Sequence, residues 1–205
     1  KVYVELGMVT TPTGKPVVMV HSNTCTSDLD AWIRVFGELL EAAGAKLTKA
    51  ELYDLLYFKA LEAEADGGGL VNFNNYSGEP VTGLDGGRPM FVRKPESHFT
   101  LANFMRVQLY SSIATLKVGM DILEKENVNL NKLTGHGGLF KTKFVGQKLM
   151  AGALNVPVAV MDTAGEGGPW GMALLAAYMV NKNEGQTLEA YLQDRVFANV
   201  KAEVV

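Results

Sequence analysis

Residues 132–177 limit the folds open to this chain more than any other stretch. They read Lys132-Leu-Thr-Gly-His-Gly-Gly-Leu-Phe-Lys-Thr-Lys143, an apolar segment at 144–154, a Val-rich run at 156–161, then Thr163-Ala-Gly-Glu-Gly-Gly-Pro-Trp-Gly171 and a second apolar run. The pattern predicts strand, glycine turn, helix, strand, glycine turn, helix, a βαβ arrangement with both turns at helix starts. At such a mouth the first amides lack intrahelical acceptors and the positive end of the helix dipole converges on them, while glycine lets a ligand approach the backbone. A phosphate or a purine edge suits that environment, so the stretch reads as half of a nucleotide site. The structural alternative, tight turns that merely let helices pack closely, stands beside it.

The remainder of the chain predicts an α/β domain. Residues 2–9 and 17–20 are short β-branched runs around Thr10-Thr-Pro-Thr-Gly-Lys-Pro16, which predicts a hairpin. A helix is expected from Ser27, with Asp28 and Asp30 in its first turn, an apolar stripe through Trp32, Phe36 and Leu40, and Gly44 as its stop. Thr48 and Glu51 form a capping-box pattern leading into a helix to about Ala65, before Gly67-Gly-Gly69. Residues 70–89 read as a long, aperiodic connection, of the kind that is functional or crosses a domain interface. Thr100 caps the longest expected helix, to about Glu126, with Phe104, Met105, Leu109, Ile113 and Leu116 at helical spacing. A closing helix is expected over 187–197, and 198–205 carries no assignable pattern.

Composition narrows the function classes. With 47% hydrophobic residues in 205, the chain can bury a sizeable core. Nineteen basic and 22 acidic side chains are interspersed, for a net charge of −3, so nothing marks a nucleic-acid partner or an anionic membrane surface. The longest apolar run, residues 170–180, spans 11 residues and suits a buried helix; a membrane span needs about 20. The lone Cys25 allows no internal disulfide and agrees with a reducing compartment, so the cytoplasm is expected. The opening residues form no signal peptide. Starting in strand-like sequence without Met, the chain reads as part of something longer.

Individual motifs carry less than their order. Gly135-His-Gly-Gly-Leu-Phe-Lys141-Thr142 is not a Walker A loop, because Phe140 stands where that motif needs glycine before its Lys-Thr pair. Gly165-Glu-Gly167-Gly-Pro-Trp170 is not a dinucleotide fingerprint, because Trp170 replaces its third glycine. Lys141, Lys143 and Lys148 stand near the first helix mouth, either to meet phosphates or as a solvated face. His21, His98 and His136 lack metal-ligand spacing, and a Cys25–His nucleophile has only composition behind it. Asp162 and Glu166 lie at a strand end, where they either reach a metal through water or serve as surface and capping groups.

Taken together these segments resemble the C-terminal domain of the FGGY family of carbohydrate kinases, on the pentulose branch of xylulokinase and ribulokinase relatives. Gly137-Gly-Leu-Phe-Lys-Thr142 with Gln147-Lys-Leu-Met150 is similar to the family's Gly-Gly-Gly-Ala-Lys-Ser loop and following helix, and Leu154-Asn-Val-Pro-Val158 to its leucine-glycine-leucine-proline-valine turn. Asp162-Thr-Ala-Gly-Glu-Gly-Gly-Pro-Trp-Gly171-Met-Ala-Leu-Leu-Ala-Ala177 resembles its Glu-Ala-x-Ala-x-Gly-Ala-Ala-Leu-Leu-Ala segment, Tyr76-Ser-Gly-Glu-Pro80 its Tyr-Leu-x-Gly-Glu-Arg loop, and Asn103-Phe-Met-Arg106 its second signature helix. The resemblance covers nearly the whole chain.

That resemblance implies an actin-like, ribonuclease-H-like α/β domain with a mixed sheet and flanking helices. It implies an ATP-binding half of a sugar kinase, with Mg and ATP as cofactors, a pentulose-like sugar held by a partner domain, and a homodimer left open. Nucleotide contacts map onto Gly137, Gly138, Leu139 and Thr142. No catalytic residue maps onto this chain, because the family's general-base Asp and its Gly-Thr-Ser phosphate loop belong to residues before Lys1; residues 1–205 alone are therefore not expected to turn over. Leu139 and Phe140 replace the third glycine and the alanine of the loop, and Asn103 and Tyr110 stand where relatives commonly carry His and Glu. A second reading follows from those departures: an actin-like scaffold whose purine slot is filled by Leu139 and Phe140.

Overall fold

Residues 2–162 and 167–205 are described by a computed structural model of the chain, the side chain of Asn199 excepted. The elements are β1 (Gly7–Thr10), β2 (Pro16–Met19), α1 (Ser27–Ala42), α2 (Lys49–Leu61), β3 (Val71–Phe73), β4 (Met90–Val92), α3 (Leu101–Lys125), β5 (Leu133–Gly135), α4 (Val145–Leu154), β6 (Val158–Met161), α5 (Gly167–Asn181), α6 (Leu188–Tyr191) and β7 (Ala202–Val204). β1 and β2 pair as the expected antiparallel hairpin, Met8 opposite Val18. β5 and β6 pair in parallel, and β7 adds to β6 antiparallel, giving a mixed three-stranded sheet in the order β5-β6-β7.

The helices form where local chemistry and apolar spacing agree. At α2 the capping box is complete: the Glu51 amide donates to Thr48 Oγ1 at 3.3 Å and the Thr48 amide donates to Glu51 Oε2 at 2.7 Å. Thr100 caps α3 by accepting the Asn103 amide at 3.2 Å. After α1, Gly44 takes φ +82 and the Ala45 amide closes on the Leu40 carbonyl at 2.9 Å, the left-handed stop that glycine permits. α3 is the spine of the core. Its Phe104, Met105, Leu109 and Ile113 are buried with Leu29 and Ile33 of α1, Leu56 and Ala60 of α2, and Leu149 of α4. Phe104 takes Trp32 edge-on at 4.9 Å and Phe91 at 5.0 Å.

Several expectations change. The first strand begins at Gly7; Val2 and Val4 are exposed. α2 ends at Leu61, short of Ala65, where α3 takes over its backbone groups: Arg106 donates to the Ala60 carbonyl at 3.1 Å and the Glu64 amide turns to Asn103 Oδ1 at 2.9 Å. The connection 70–89 is not wholly structureless: its first residues form β3, which pairs antiparallel with β4, Asn72 opposite Phe91. Three-residue strands leave no periodicity to read. α4 begins at Val145 because Phe144 adopts φ +67. The expected closing helix is α-helical only over Leu188–Tyr191, then widens into a π turn at Leu192–Val196 and a 3-10 turn at Phe197–Asn199. The unassigned tail supplies β7.

α5 departs most from its pattern. The apolar run predicts a buried helix, and the helix forms, yet no residue of it is buried and Met172 is 69% exposed. It is apolar on every side, and within this chain it packs locally, Tyr178 against Tyr191 at 5.4 Å and Trp170 against Phe197 at 6.0 Å. Among the described residues no helix is long and apolar enough to cross a membrane.

Met105 is fully enclosed at the centre of the core. Met105→Ala is expected to destabilise the domain by about 2–5 kcal/mol in urea denaturation, whereas Met172→Ala, on the open face of α5, is expected to change stability by less than about 0.5 kcal/mol.

Candidate functional site

Parallel pairing of β5 with β6 sets Leu133 opposite Val158 and Gly135 opposite Val160, so the two strands end level at one edge of the sheet, where the first glycine turn leaves β5. The first turn meets the start of α5: a Cβ added at Gly167, its first residue, would lie 2.8 Å from the His136 side chain. Ligand sites of open α/β sheets gather at such carboxyl ends.

The first turn presents bare backbone. Gly137 takes φ +99, a conformation glycine adopts readily, and a 3-10 turn follows over Gly138–Phe140. Its internal bonds run from the Phe140 amide to the Gly137 carbonyl and from the Lys141 amide to the Gly138 carbonyl, both 3.1 Å. The amides of Gly137, Gly138 and Leu139 find no acceptor among the described residues. A Cβ at Gly137 or Gly138 would meet nothing within 4 Å, so the space beside them is open.

Packing fixes the other side of the turn. Leu139 is buried in the core, and a Cβ at Gly146 would lie 2.5 Å from the Leu139 carbonyl oxygen, so glycine in α4 is what lets the turn lie down. The Phe140 ring folds back over Gly135, where a Cβ would stand 2.6 Å from ring carbon Cζ. Thr142 is 4% exposed and its Oγ1 donates to Asp54 Oδ1 at 2.6 Å, tying the loop to α2 across 88 residues of sequence.

Between the loop and α2 lies a cavity of about 550 Å³, walled by Gly138, Leu139 and Thr142 on one side and by Lys49, Tyr53 and Asp54 on the other. Its volume falls in the range that takes a small organic ligand. Tyr53 donates its phenol to Asp30 Oδ1 at 2.8 Å. Burial, then the bond to Asp30 and its charge, push the Tyr53 phenol up to about 12, with Arg34 opposing. A second cleft, of about 330 Å³, opens on the far face of the same loop beside Phe140, Lys143, Gln147, Asp162 and Glu203. Phe140 therefore borders this second cleft and is not part of the larger cavity's wall.

The loop brings Gly137, Gly138, Leu139 and Thr142 together, with the Thr142 hydroxyl turned to Asp54. Lys141 borders both cavities and Lys143 the smaller; Lys148 lies apart on α4, its ammonium 5.9 Å from the Phe144 ring. The histidines are scattered: His21 bonds Asn23 at 3.0 Å and His98 bonds Glu64. Cys25 is exposed. Asp162 stands at the smaller cleft, and Glu166 lies outside the described residues, among which no three metal-ligating side chains gather. Asn103 is buried and structural, donating to the His98 carbonyl at 2.8 Å and accepting the Glu64 amide at 2.9 Å; Tyr110 donates to the Ala65 carbonyl at 3.3 Å.

Sequence reading missed the wall contributed by α1 and α2. Lys49, Tyr53 and Tyr57 recur every four residues and so share one helical face, a signal available in the sequence but ambiguous without a partner element. It also missed what Glu79 does. This fully buried carboxylate accepts through Oε2 from Ser22 Oγ at 3.2 Å and the Asn23 amide at 3.0 Å, fixing the approach to α1.

Residues 2–180 match the FGGY family of carbohydrate kinases, C-terminal domain. The chain belongs to that family. Its fold is accordingly the actin-like ATPase domain, with a mixed sheet and flanking helices. No curated protein matches the sequence. Among solved structures, xylulose kinase from Rhodospirillum rubrum is 17% identical with a TM-score of 0.64, the match covering 98% of this chain and 37% of that one. Glycerol kinase from Plasmodium falciparum with ADP is 16% identical with a TM-score of 0.64, covering 92% of this chain and 35% of that one. Ligand-bound xylulose kinase from Lactobacillus acidophilus is 24% identical with a TM-score of 0.59, covering 82% and 33%. The FGGY domain thus spans about a third of the length of these neighbours.

Because the folded state holds the Tyr53 phenol above its ordinary value of 10, its contribution to stability is complete below pH 10 and is lost as pH rises towards 12. Thermal melts between pH 9 and 12 are expected to fall less steeply for Tyr53→Phe than for the parent chain. A residual fall is expected from Tyr57, which burial also raises.

Proposed function

We propose that this chain is the ATP-binding half of a sugar kinase, and that the open amides of Gly137, Gly138 and Leu139 above the 550 Å³ cavity carry the nucleotide. The single observation that carries the reading is this pairing of unsatisfied donors with a cavity of nucleoside size at the carboxyl end of parallel strands. Backbone N–H groups suit an anion without adding net charge, and bare glycine lets the phosphate chain approach them. The nucleoside then lies in the cavity against α2. A neighbour of the same fold, the glycerol kinase, was solved with ADP, which supports an adenine nucleotide as the ligand class.

ATP supplies the phosphoryl group when bound. Phosphoryl transfer depends on positioning and charge stabilisation, with little covalent work for the protein. This chain's part is to hold and orient the nucleotide. In this reading Mg accompanies the triphosphate, and the acidic side chains beside the loop on this chain are Asp54, which takes the Thr142 hydroxyl, and Asp162 at the smaller cleft. The general base and the sugar pocket belong to a further domain of a longer protein. A pentulose is the substrate we favour, since three solved neighbours, from Rhodospirillum rubrum, Bifidobacterium adolescentis and Lactobacillus acidophilus, are named xylulose kinases; gluconate and glycerol kinases share the fold, so we place sugar choice outside this domain. Against a scaffold whose purine slot is plugged, Leu139 packs into the core and Phe140 over Gly135.

ADP at a hundred times its dissociation constant is expected to stabilise the chain by about 2.7 kcal/mol in thermal melts. Gly138→Asp should abolish that shift while melting normally without ligand, because a side chain there meets nothing. An equal shift in both proteins, or none at millimolar ADP in the parent, contradicts the proposal.

A further inference from the structure

The wall that α1 adds to the larger cavity is not held by backbone. Residues 21–26 lead from the hairpin into α1, and among the described residues they make no backbone-to-backbone hydrogen bond with any other segment. Their only such bonds open α1 itself, from the Ser27 amide to the Thr24 carbonyl and from the Asp30 amide to the Thr26 carbonyl, both 2.8 Å. Thr26 stands at the cap of α1, yet its side chain makes no capping bond. Thr26 and Asp30 nevertheless line the cavity together with Gly138 and Leu139, and Asp30 takes the Tyr53 phenol. We infer that Glu79 is the positioning residue for this side of the nucleotide cavity: without touching the ligand it fixes residues 22–24 and, through them, Thr26 and Asp30. The inference rests on the nucleotide reading above.

Glu79 can serve as a fixed point because its own backbone is closed on both sides. Its amide donates to the Leu84 carbonyl at 2.8 Å, and its carbonyl accepts the Leu84 amide at 3.2 Å and the Thr82 amide at 3.0 Å. Pro80 restricts the backbone after it, and a Cβ at Gly78 would stand 2.7 Å from the Asp85 carbonyl oxygen, so the loop closes tightly on itself. From this loop the buried side chain reaches the segment before α1. Oε2 accepts from Ser22 Oγ at 3.2 Å, the Asn23 amide at 3.0 Å and Thr24 Oγ1 at 3.4 Å. Two further bonds join the same segments: Asn23 Nδ2 donates to the Gly78 carbonyl at 2.7 Å, and Asn74 Nδ2 to the Cys25 carbonyl at 2.8 Å. Residues 22–25 are thus each tied to 74–79. Thr24 is 2% exposed, so its hydroxyl has no water to turn to once that acceptor is gone. Removing the carboxylate releases Ser22, Asn23 and Thr24 together, and a ligand that needs the wall in place must then order it. Fixing the backbone of a single freed residue already costs about ten-fold in a binding constant. One oxygen carries this role. Oε1 is buried and meets no partner among the described residues, so a primary amide with its oxygen in the place of Oε2 keeps all three bonds.

Calorimetric titration with ADP tests this on the parent chain, Glu79→Ala, Glu79→Gln and Met105→Ala, each first shown by circular dichroism to be folded at the titration temperature. Met105 lines neither cavity beside the loop and is the control for lost stability. Glu79→Ala is expected to bind ADP about ten-fold or more weakly than the parent. Glu79→Gln should recover to within about three-fold, because the acceptor is restored. Met105→Ala should stay within about two-fold although it is less stable. Without ligand, the amide resonances of Thr24, Thr26 and Asp30 should move in Glu79→Ala while those of Gly137 and Gly138 hold. Should Glu79→Ala prove unfolded, Asn74→Ala, which releases only the Cys25 carbonyl, carries the test: a several-fold loss supports the role of this segment and an unchanged affinity overturns it. If folded Glu79→Ala binds ADP as the parent does, if Met105→Ala loses as much, or if Glu79→Gln recovers nothing, the role of Glu79 is overturned while the nucleotide reading stands. If the parent binds no ADP, both fall together.

Discussion

Hydrogen bonding of β5 to β6 in parallel register is what the site depends on. With Gly135 opposite Val160, the Gly137 turn and the start of α5 lie side by side although a whole helix separates them in the chain, and His136 abuts Gly167. A slip of one residue would exchange the faces of β5 and carry the Gly137 turn away from α2. The register is held from behind. Gln147 of α4 donates through Nε2 to the Val158 carbonyl at 2.6 Å and the Glu203 carbonyl at 2.8 Å, stitching the crossover helix to β6 and β7 at once. Val145 and Val158 are completely buried against the core that α3 organises.

On that frame the loop divides its labour residue by residue. Gly137 and Gly138 offer backbone to open space, Leu139 enters the core, Phe140 covers the end of β5, and Thr142 binds α2. Large side chains at 139 and 140, whose size gives the second, scaffold reading of the sequence, pack as anchors. Nothing in this arrangement calls for a flexible lid: the donors are exposed because the neighbouring side chains are held elsewhere. Such preorganisation is what allows backbone dipoles to stabilise charge without rearranging.

Much of this was legible beforehand. The capping box at Thr48, the glycine stop at Gly44, the 25-residue α3 and the strand-turn-helix order of 132–177 all follow from local chemistry, which sequence reports directly. What was not legible is non-local. β3 and β7 are three residues each and exist only because partners far along the chain pair with them. Asp54 joins the site through Thr142, 88 residues away, and no spacing rule connects them. Glu79 stands in a legible motif, but its hold on residues 22 and 23 joins segments more than 50 residues apart and has no local pattern. The glycine-rich loop is legible as a candidate because glycine marks backbone exposure; the helical wall facing it is not, because Lys, Tyr and Asp on a helix ordinarily mean solvent.

The central claim, that the amides at the head of the Gly138 turn receive the nucleotide, is tested most directly by following backbone amide resonances of the labelled chain during an ADP titration. The account predicts that Gly137, Gly138 and Leu139 shift first and furthest, with Tyr53 and Asp54 of α2 moving in the same concentration range. Shifts confined to Phe144, Gln147 and Asp162 around the smaller cleft, or no shifts at saturating nucleotide, would contradict it.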